Sequence, residues 1–552
     1  MKNLPLPLPL AALLACSLPV SAQTLYGTLN GEKANDRFGW SVAGLGDVNL
    51  DGRPDFAVGA PEDGSAFLPG EGYVRVYSGL SGAALYTLQG TLSSEQFGAD
   101  VESCPDLNGD GRPELLIGAP GSGPGVEGRV FVHSGANGAL LLTLGGPQAN
   151  DQIGFQVTAI GDLNLDGKSE ILAGGAASPS GGTQRGVAVV YSGATGTALF
   201  TITGTQTNQR LGQSVAGVGD LNGDGRPDFL VGSMTGGARL YSGLNASVLR
   251  TYGTNGSDRF GTTLCALGDL NSDGLGEYAI GATQDGSVFA PDTGYVSVYS
   301  GASGALLYTV TGLAAGDRFA SSLANGGDLN GDGKDDLLVG ADQFSFGGSG
   351  YVQVLSGANG AVLYSFNGTG TGQRFGQGLD GLGDLNNDGR AELAIGVPAR
   401  SPNFSLAGQV ELWSRPAGCP APSSYCSALP NSTGGSALMS YAGSASIAAN
   451  NFQLLTSGAP ANKLALYAYS ATQASTPAGN GILCLGSPFV RLPAINTTST
   501  GDAGYLLNFG SLPAAGPILP GDTRHFVLWY RDPAAGGANF NFSNGLSVQF
   551  CP

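Results

Sequence analysis

Seven times this chain repeats a nine-residue pattern, Asp-x-Asn-x-Asp-Gly-x-x-Asp/Glu, which gathers side-chain oxygens at its first, third, fifth and ninth positions. The first four sets are Asp47, Asn49, Asp51 and Asp55; Asp106, Asn108, Asp110 and Glu114; Asp162, Asn164, Asp166 and Glu170; and Asp220, Asn222, Asp224 and Asp228. The last three are Asp269, Asn271, Asp273 and Glu277; Asp328, Asn330, Asp332 and Asp336; and Asp384, Asn386, Asp388 and Glu392. Oxygens gathered this densely suit a hard cation. Calcium accepts about six to eight of them in a flexible shell, and a backbone carbonyl at the seventh position can add one. Glycine at the sixth position allows the sharp turn that folds the carboxylates onto one point. Up to seven Ca²⁺ ions, mainly structural in role, are the expectation.

The loop is not an EF-hand, which needs an acidic or polar ligand at the twelfth position. That position holds Val58, Ile117, Ala173, Val231, Ile280, Val339 and Ile395. The ninth residue instead opens an apolar run, so the ion is expected to bridge two strands. Plain Asp/Asn/Gly turns also occur without metal, but they do not need three carboxylates. Empty, like charges a few Å apart repel by about 1–4 kcal/mol per pair. Three carboxylates in each of seven loops account for 21 of the 42 acidic residues, so the formal net charge of −18 is largely a metal-site charge. This acidity argues against nucleic acid as a partner.

The elements that position these loops repeat with them. Successive copies start 59, 56, 58, 49, 59 and 56 residues apart, a period that belongs to solenoids, propellers or arrays. The first unit reads Phe38-Gly39, Trp40 to Gly46, the loop, Phe56 to Pro61, Gly72 to Gly79 and Ala84 to Leu88. These are four short β-type runs divided by Gly, Pro, Asp and Ser. Four antiparallel strands per unit make a propeller blade. Runs such as Leu115-Leu116-Ile117 and Leu337-Leu338-Val339 are apolar throughout, as expected of strands covered on both faces. The last unit lacks a fourth strand, and Leu25-Tyr26-Gly27-Thr28-Leu29 supplies one. The expected fold is all-β: a seven-bladed β-propeller over 23–415, closed by strand 24–29, followed by a small β-sandwich-like domain over 416–552.

Phe38-Gly39 with Gly59-Ala60-Pro61, and Phe97-Gly98 with Gly118-Ala119-Pro120, resemble FG-GAP repeats. Such repeats build the seven-bladed propeller of integrin α chains and of many secreted bacterial proteins, and the resemblance covers about 24–415. Some copies drift, with Ile153-Gly154, Leu211-Gly212, Phe319-Ala320 and Gly232-Ser233-Met234 in place of the motif. The cation loop is intact in all seven units, whereas integrin propellers usually carry it in only some. Integrin legs, an inserted domain and a membrane helix are missing, so an integrin-type heterodimer is not expected. The resemblance implies a secreted or surface calcium-stiffened platform for recognition or adhesion, binding an extracellular protein or glycan.

By the same resemblance, ligand binds on the face opposite the cation loops. There the loops between second and third strands carry Phe67, Phe289, Phe344, Phe346 and Phe404, in units that become contiguous once the ring closes. These five are the candidate ligand-binding arc; the alternative is that each folds beneath its own loop. Arg37, Arg210, Arg259, Arg318 and Arg374 recur before the Phe-Gly position, which favours structural pairs between blades.

Lys2, an apolar stretch to Leu14 and Val20-Ser21-Ala22 read as a secretory signal over 1–22. Leu13-Leu14-Ala15-Cys16 also resembles a lipoprotein box, which would anchor the chain at Cys16. No later apolar run approaches the ~18 residues of a membrane span. Cys104 and Cys265 read as buried free thiols. Cys419, Cys426, Cys484 and Cys551 suggest two disulfides, with three connectivities open. The aromatics of the last domain, from Trp529-Tyr530 to Phe550, suit a core or a glycan-stacking surface. Only two histidines occur, His133 and His525, and neither has a partner in a catalytic pattern. No enzyme is expected. A carbohydrate- or lipid-active hydrolase or lyase, and a propeller that merely displays the C-terminal domain, are the alternatives.

Overall fold

The computed structural model describes residues 24–550 except 62–70, 177–183, 254–257, 284–292, 344–346, 388–389, 403–404, 415–421, 444, 446, 448–449, 514–516 and 520–521. The leader 1–22 with Cys16, the five phenylalanines Phe67, Phe289, Phe344, Phe346 and Phe404, Asp388, Cys419 and Cys551 lie outside the described residues. The chain is all-β, and its only described helices are two short 3₁₀ turns, Phe509–Ser511 and Pro533–Ala535. It divides into two compact units, Gln23–Arg415 and Pro416–Pro552.

The first unit is a β-propeller. Among the described residues it contains seven four-stranded antiparallel sheets, each in simple sequential order except the last. The first blade is Ser41–Gly46, Asp55–Ala60, Tyr73–Tyr77 and Ala84–Gln89. In the last, Leu379–Gly383, Glu392–Val397 and Gln409–Ser414 take Thr24–Asn30 as their outer strand. It pairs antiparallel from Thr24 opposite Ser414 to Asn30 opposite Gln409. Innermost strands pack on innermost strands around the ring, and that of the last blade meets that of the first.

Burial explains the sequence pattern. Second strands such as Asp55–Ala60, Glu114–Ala119 and Glu392–Val397 are buried at every residue, because a neighbouring blade covers each face. Fourth strands such as Ala84–Gln89 lie at the rim and expose alternate residues. The apolar core is shared between blades: Leu45 and Ala57 of blade 1 cluster with Val101 and Leu115 of blade 2. Phe38 and Phe56 of blade 1 cluster with Leu382 and Val410 of blade 7, which closes the ring.

The two glycines of the repeat have one shared cause. A methyl group at Gly118 would run into the carbonyl of Gly154 in the next blade, and one at Gly396 into the carbonyl of Gly39 across the closure. Gly39 itself has φ +85°, a conformation that L side chains rarely adopt. Each blade therefore approaches the next backbone to backbone. Gly396→Ala is expected to cost about 1–3 kcal/mol, since two rigid sheets must separate to admit the methyl group. Thermal unfolding of the variant checks this, and an unchanged midpoint would refute it.

The recurrent arginines depart in part from the expected pairing between blades. Arg318 pairs at 2.9 Å with Asp342 of its own blade. Arg37 and Arg374, from blades 1 and 7, both lie over the Trp40 ring, at 5.6 and 5.2 Å. The neighbouring carboxylates have other duties: Asp36 accepts the N–H groups of Glu32 and Lys33 and the Tyr73 hydroxyl. All five recurrent arginines share a left-handed backbone, with φ of +50° to +58°.

In the second unit, Leu464–Ser470 and Thr523–Arg531 form the centre of one sheet, and Leu438–Ala442, Gln453–Ser457 and Ala503–Leu506 form another. Tyr467, Phe526, Leu528 and Tyr530 pack on Met439, Phe452 and Leu454 between them. Most of the aromatics thus serve the core. Trp529 and Phe540, 5.9 Å apart, instead line a cleft of about 360 Å³ on the other side of the sheet. Cys426 and Cys484 stand at disulfide distance, Cα–Cα 6.1 Å. Cys104 and Cys265 are buried and free.

Candidate functional site

The seven acidic loops join first strands to second strands, so all lie on one face of the ring. The loop of blade 2 shows how the backbone builds each site. Asp106 accepts the N–H groups of Gly109 at 2.5 Å and Gly111 at 2.8 Å. Asn108 Oδ1 accepts from Asp110 N–H at 2.8 Å, and Asp110 Oδ1 accepts from Arg112 N–H at 3.0 Å. Glu114, at the head of the buried second strand, reaches back with Oε1 to the N–H groups of Leu107 and Asn108 at 3.2 and 3.0 Å. Its Oε2 is buried and has no hydrogen-bond partner. The loops of Asp47, Asp220, Asp269 and Asp328 repeat the turn, with Gly52, Gly225, Gly274 and Gly333 each donating to the first aspartate at 2.8 Å.

Among the described residues, three loops bring three carboxylates within 4.8 Å of one another: Asp106, Asp110 and Glu114; Asp162, Asp166 and Glu170; and Asp269, Asp273 and Glu277. The electrostatics suit a cation. Burial pushes the carboxyls of Asp55, Glu114, Glu170, Asp228 and Glu277 upward, and that of Asp336 up to about 6. The Gly111 and Gly274 N–H groups hold Asp106 and Asp269 below the usual range. A buried carboxylate with an orphaned oxygen, facing two acidic side chains, is an incomplete site that a positive charge completes. An oxygen-only donor set selects calcium or magnesium over softer metals. The residues present therefore fit a hard divalent cation, held by the first, third, fifth and ninth side chains of the loop. In the seventh copy Asp384, Asn386 and Glu392 are described and Asp388 is not.

Sequence reasoning missed what ties these loops together. The seventh position is basic in six of the seven copies: Arg53, Arg112, Lys168, Arg226, Lys334 and Arg390. Arg112 Nη1 donates at 2.9 Å to the carbonyl of Val48 in the loop of blade 1. Lys168 Nζ donates at 3.4 Å to the carbonyl of Asp106, and Lys334 donates to that of Leu270. Each reaches the acidic loop of the preceding blade. The recurrence of a base at this position in six loops was the available signal.

The opposite face holds a cavity of about 610 Å³ on the ring axis, with residues from all seven blades in its wall. Trp40, Phe155, Gln213, Thr262, Ser321 and Gln377 line it, and Asp100 lies deeper along the first strand of blade 2. The two histidines lie elsewhere. His133 Nδ1 bonds the Gly138 carbonyl at 2.9 Å, and His525 packs edge-to-face against Tyr425. Burial lowers both rings' affinity for a proton.

Residues 38–77, 97–133 and 319–355 match the family described as FG-GAP repeat, and 220–280 match that described as FG-GAP-like repeat. The chain is similar to integrin alpha-5 of Xenopus laevis, 34% identical over 217 residues, 36% of this chain and 20% of that one. It is similar to integrin alpha-V of Gallus gallus, 30% identical over 213 residues, 35% of this chain and 20% of that one. It is also similar to phosphatidylinositol-glycan-specific phospholipase D of Homo sapiens, 28% identical over 411 residues, 66% of this chain and 43% of that one. The chain spans less than half the length of each of these relatives. No helix among the described residues is long and apolar enough to cross a membrane.

Proposed function

Because the chain carries FG-GAP repeats and is an integrin α-like propeller protein, we propose that it is a secreted or surface recognition and adhesion protein. Calcium fills its acidic loops, and the face opposite them binds an extracellular protein or glycan. The observation that carries this reading is the division of labour between the two faces. One gathers carboxylates into repeated sites for a cation, and the other opens a cavity walled by chemically different residues from every blade. Calcium in this reading is architectural: it neutralises the loops and bridges first strands to second strands, so that the far face is held rigid. The arc of Phe67, Phe289, Phe344, Phe346 and Phe404, which the sequence assigns to loops between second and third strands, is part of the proposal.

The experiment is binding of the full chain, in millimolar calcium, to immobilised extracellular-matrix proteins and glycans. Substitutions on each face separate the roles. Binding is expected to be lost in variants of the far face that leave the melting temperature unchanged. Binding unaffected by every far-face variant would overturn the assignment.

The likeness to a phospholipase D favours one second reading, a lipid-active hydrolase. Release of a glycosylphosphatidylinositol-anchored reporter from vesicles by the full chain would replace the recognition reading with that one.

A further inference from the structure

The repeat places one residue of every blade at the mouth of the axial cavity: the residue directly after the Phe-Gly pair. In blades 1 to 3 it is Trp40, Ala99 and Phe155, and in blades 4 to 7 it is Gln213, Thr262, Ser321 and Gln377. All seven line the cavity. The flanking positions are held alike from blade to blade by the backbone contacts described above, but this one changes its chemistry around the ring. One arc is aromatic and the opposite arc carries uncharged hydrogen-bonding groups. Phe155 is 42% exposed, although it has a whole propeller to hide in. Trp40 is held by the guanidinium groups of Arg37 and Arg374 on its ring, so its position is set before any ligand arrives.

We infer that this cavity binds the uncharged terminal sugars of a glycan, with a pyranose face against Trp40 and Phe155 and its hydroxyls bonded by the Gln213, Gln377, Thr262 and Ser321 side chains. This inference rests on the recognition reading and names the ligand class for that face. The asymmetry of the ring argues for it. A sugar ring has one apolar face and a belt of hydroxyls that both donate and accept. A glutamine amide supplies a donor and an acceptor together, and a serine or threonine hydroxyl can be either. The volume falls within the range of about 300–1,000 Å³ usual for small-ligand sites.

Charge argues against an anion as the main ligand. Arg318 at the rim is paired with Asp342, Arg37 and Arg374 are held on Trp40, and Asp100 gives its carboxylate to the Val157 N–H at 2.7 Å. The rim arginines are thus engaged with the protein itself, and the carboxylate of Asp100 in the wall disfavours an anionic ligand. Specificity is left to stacking and hydroxyl contacts, which are insensitive to salt.

The test uses the full chain in millimolar calcium on an array of neutral and acidic oligosaccharides. Calorimetry on the best neutral saccharide follows, at low and high sodium chloride. Binding of a neutral saccharide with little salt dependence is expected. Trp40→Ala should weaken it about thirtyfold, as for a central aromatic anchor, and Gln213→Ala by about two- to tenfold for one hydrogen bond. Trp40→Phe, which keeps an aromatic face, should retain most of the affinity and serves if the alanine variant misfolds. Neutral-saccharide binding that Trp40→Phe, Trp40→Ala and Gln213→Ala all leave unchanged would overturn the inference. So would binding confined to acidic saccharides and abolished by salt. If the chain binds matrix proteins through this face but no saccharide, the inference fails and the recognition reading stands. If it binds neither, both fail.

Discussion

Chelation of calcium is expected to lower the melting temperature of the propeller by about 4–12 °C. The estimate starts from the sites. Extracellular calcium modules have dissociation constants of about 10⁻⁴–10⁻³ M, so at millimolar calcium each site contributes roughly 0.5–1.5 kcal/mol by mass action. Seven sites together contribute about 3–10 kcal/mol, as much as the whole stability of many domains. Unfolding entropies of about 2.1 cal/mol/K per residue, applied to the unit Gln23–Arg415, convert that range to the stated shift. Calorimetry of the full chain with and without chelator measures it, and elemental analysis after gel filtration counts the ions. Glu114→Gln separates the metal from the fold. The amide keeps the acceptor that Leu107 and Asn108 N–H groups use but removes the charge at the orphaned oxygen, so part of the calcium increment should vanish while the apo protein is unharmed. A melting temperature indifferent to chelator would sink the calcium assignment and return these carboxylates to the pool of candidates for chemistry.

The fold was readable because its instructions are local and repeated. The pattern Asp-x-Asn-x-Asp-Gly recurs in one register, and the ninth residue always enters a strand of apolar residues, so turn and strand could be placed from spacing alone. Seven copies also let weak units be read by analogy with strong ones, as with Leu211-Gly212 in place of Phe-Gly. The partners of the recurring arginines were harder to foresee. Arg37, with φ near +55°, lays its guanidinium over Trp40, and no periodicity reports a backbone angle at a single non-glycine residue. The axial cavity was harder still. Its wall takes residues from every blade, separated by roughly a repeat length in the chain, and becomes a surface only when the ring closes. Lys168 reaching Asp106 is of the same kind: a basic residue was visible in six of the seven loops, but its target lies one blade away.

Acidification from pH 8 to pH 6 at saturating calcium is expected to stabilise the propeller, against the usual behaviour of acidic proteins. The cause lies on the axis. Asp380, in the first strand of blade 7, accepts the Gly44 N–H of blade 1 at 2.8 Å and the Gly381 N–H at 2.9 Å. Asp100 bridges in the same way from blade 2 to Val157 of blade 3 at 2.7 Å. Glu102, on the same strand as Asp100, feels both charges. Burial pushes Asp100 and Asp380 up to about 7, and burial with the charges of Asp380 and Asp100 pushes Glu102 well above its ordinary value. The unfolded chain has these aspartates near an ordinary value of about 3.9. Between about pH 4 and pH 7 the folded state therefore binds more protons than the unfolded one, so stability falls as pH rises through that window. Above it the full cost of holding charged carboxylates on the axis is present. A shift of that size corresponds to about 4 kcal/mol, and because Asp100 and Asp380 are only half-buried, solvent screening reduces this to roughly 1–3 kcal/mol per group. Asp380→Asn keeps the acceptor for Gly44 without the charge. It should raise the melting temperature at pH 8 by about 1–4 °C and flatten the gain on acidification. Below about pH 5 the gain should reverse as the calcium ligands themselves take protons. A variant no more stable than the parent at pH 8 would show that the axis carries no such strain, and that the innermost strands tolerate three carboxylates without cost.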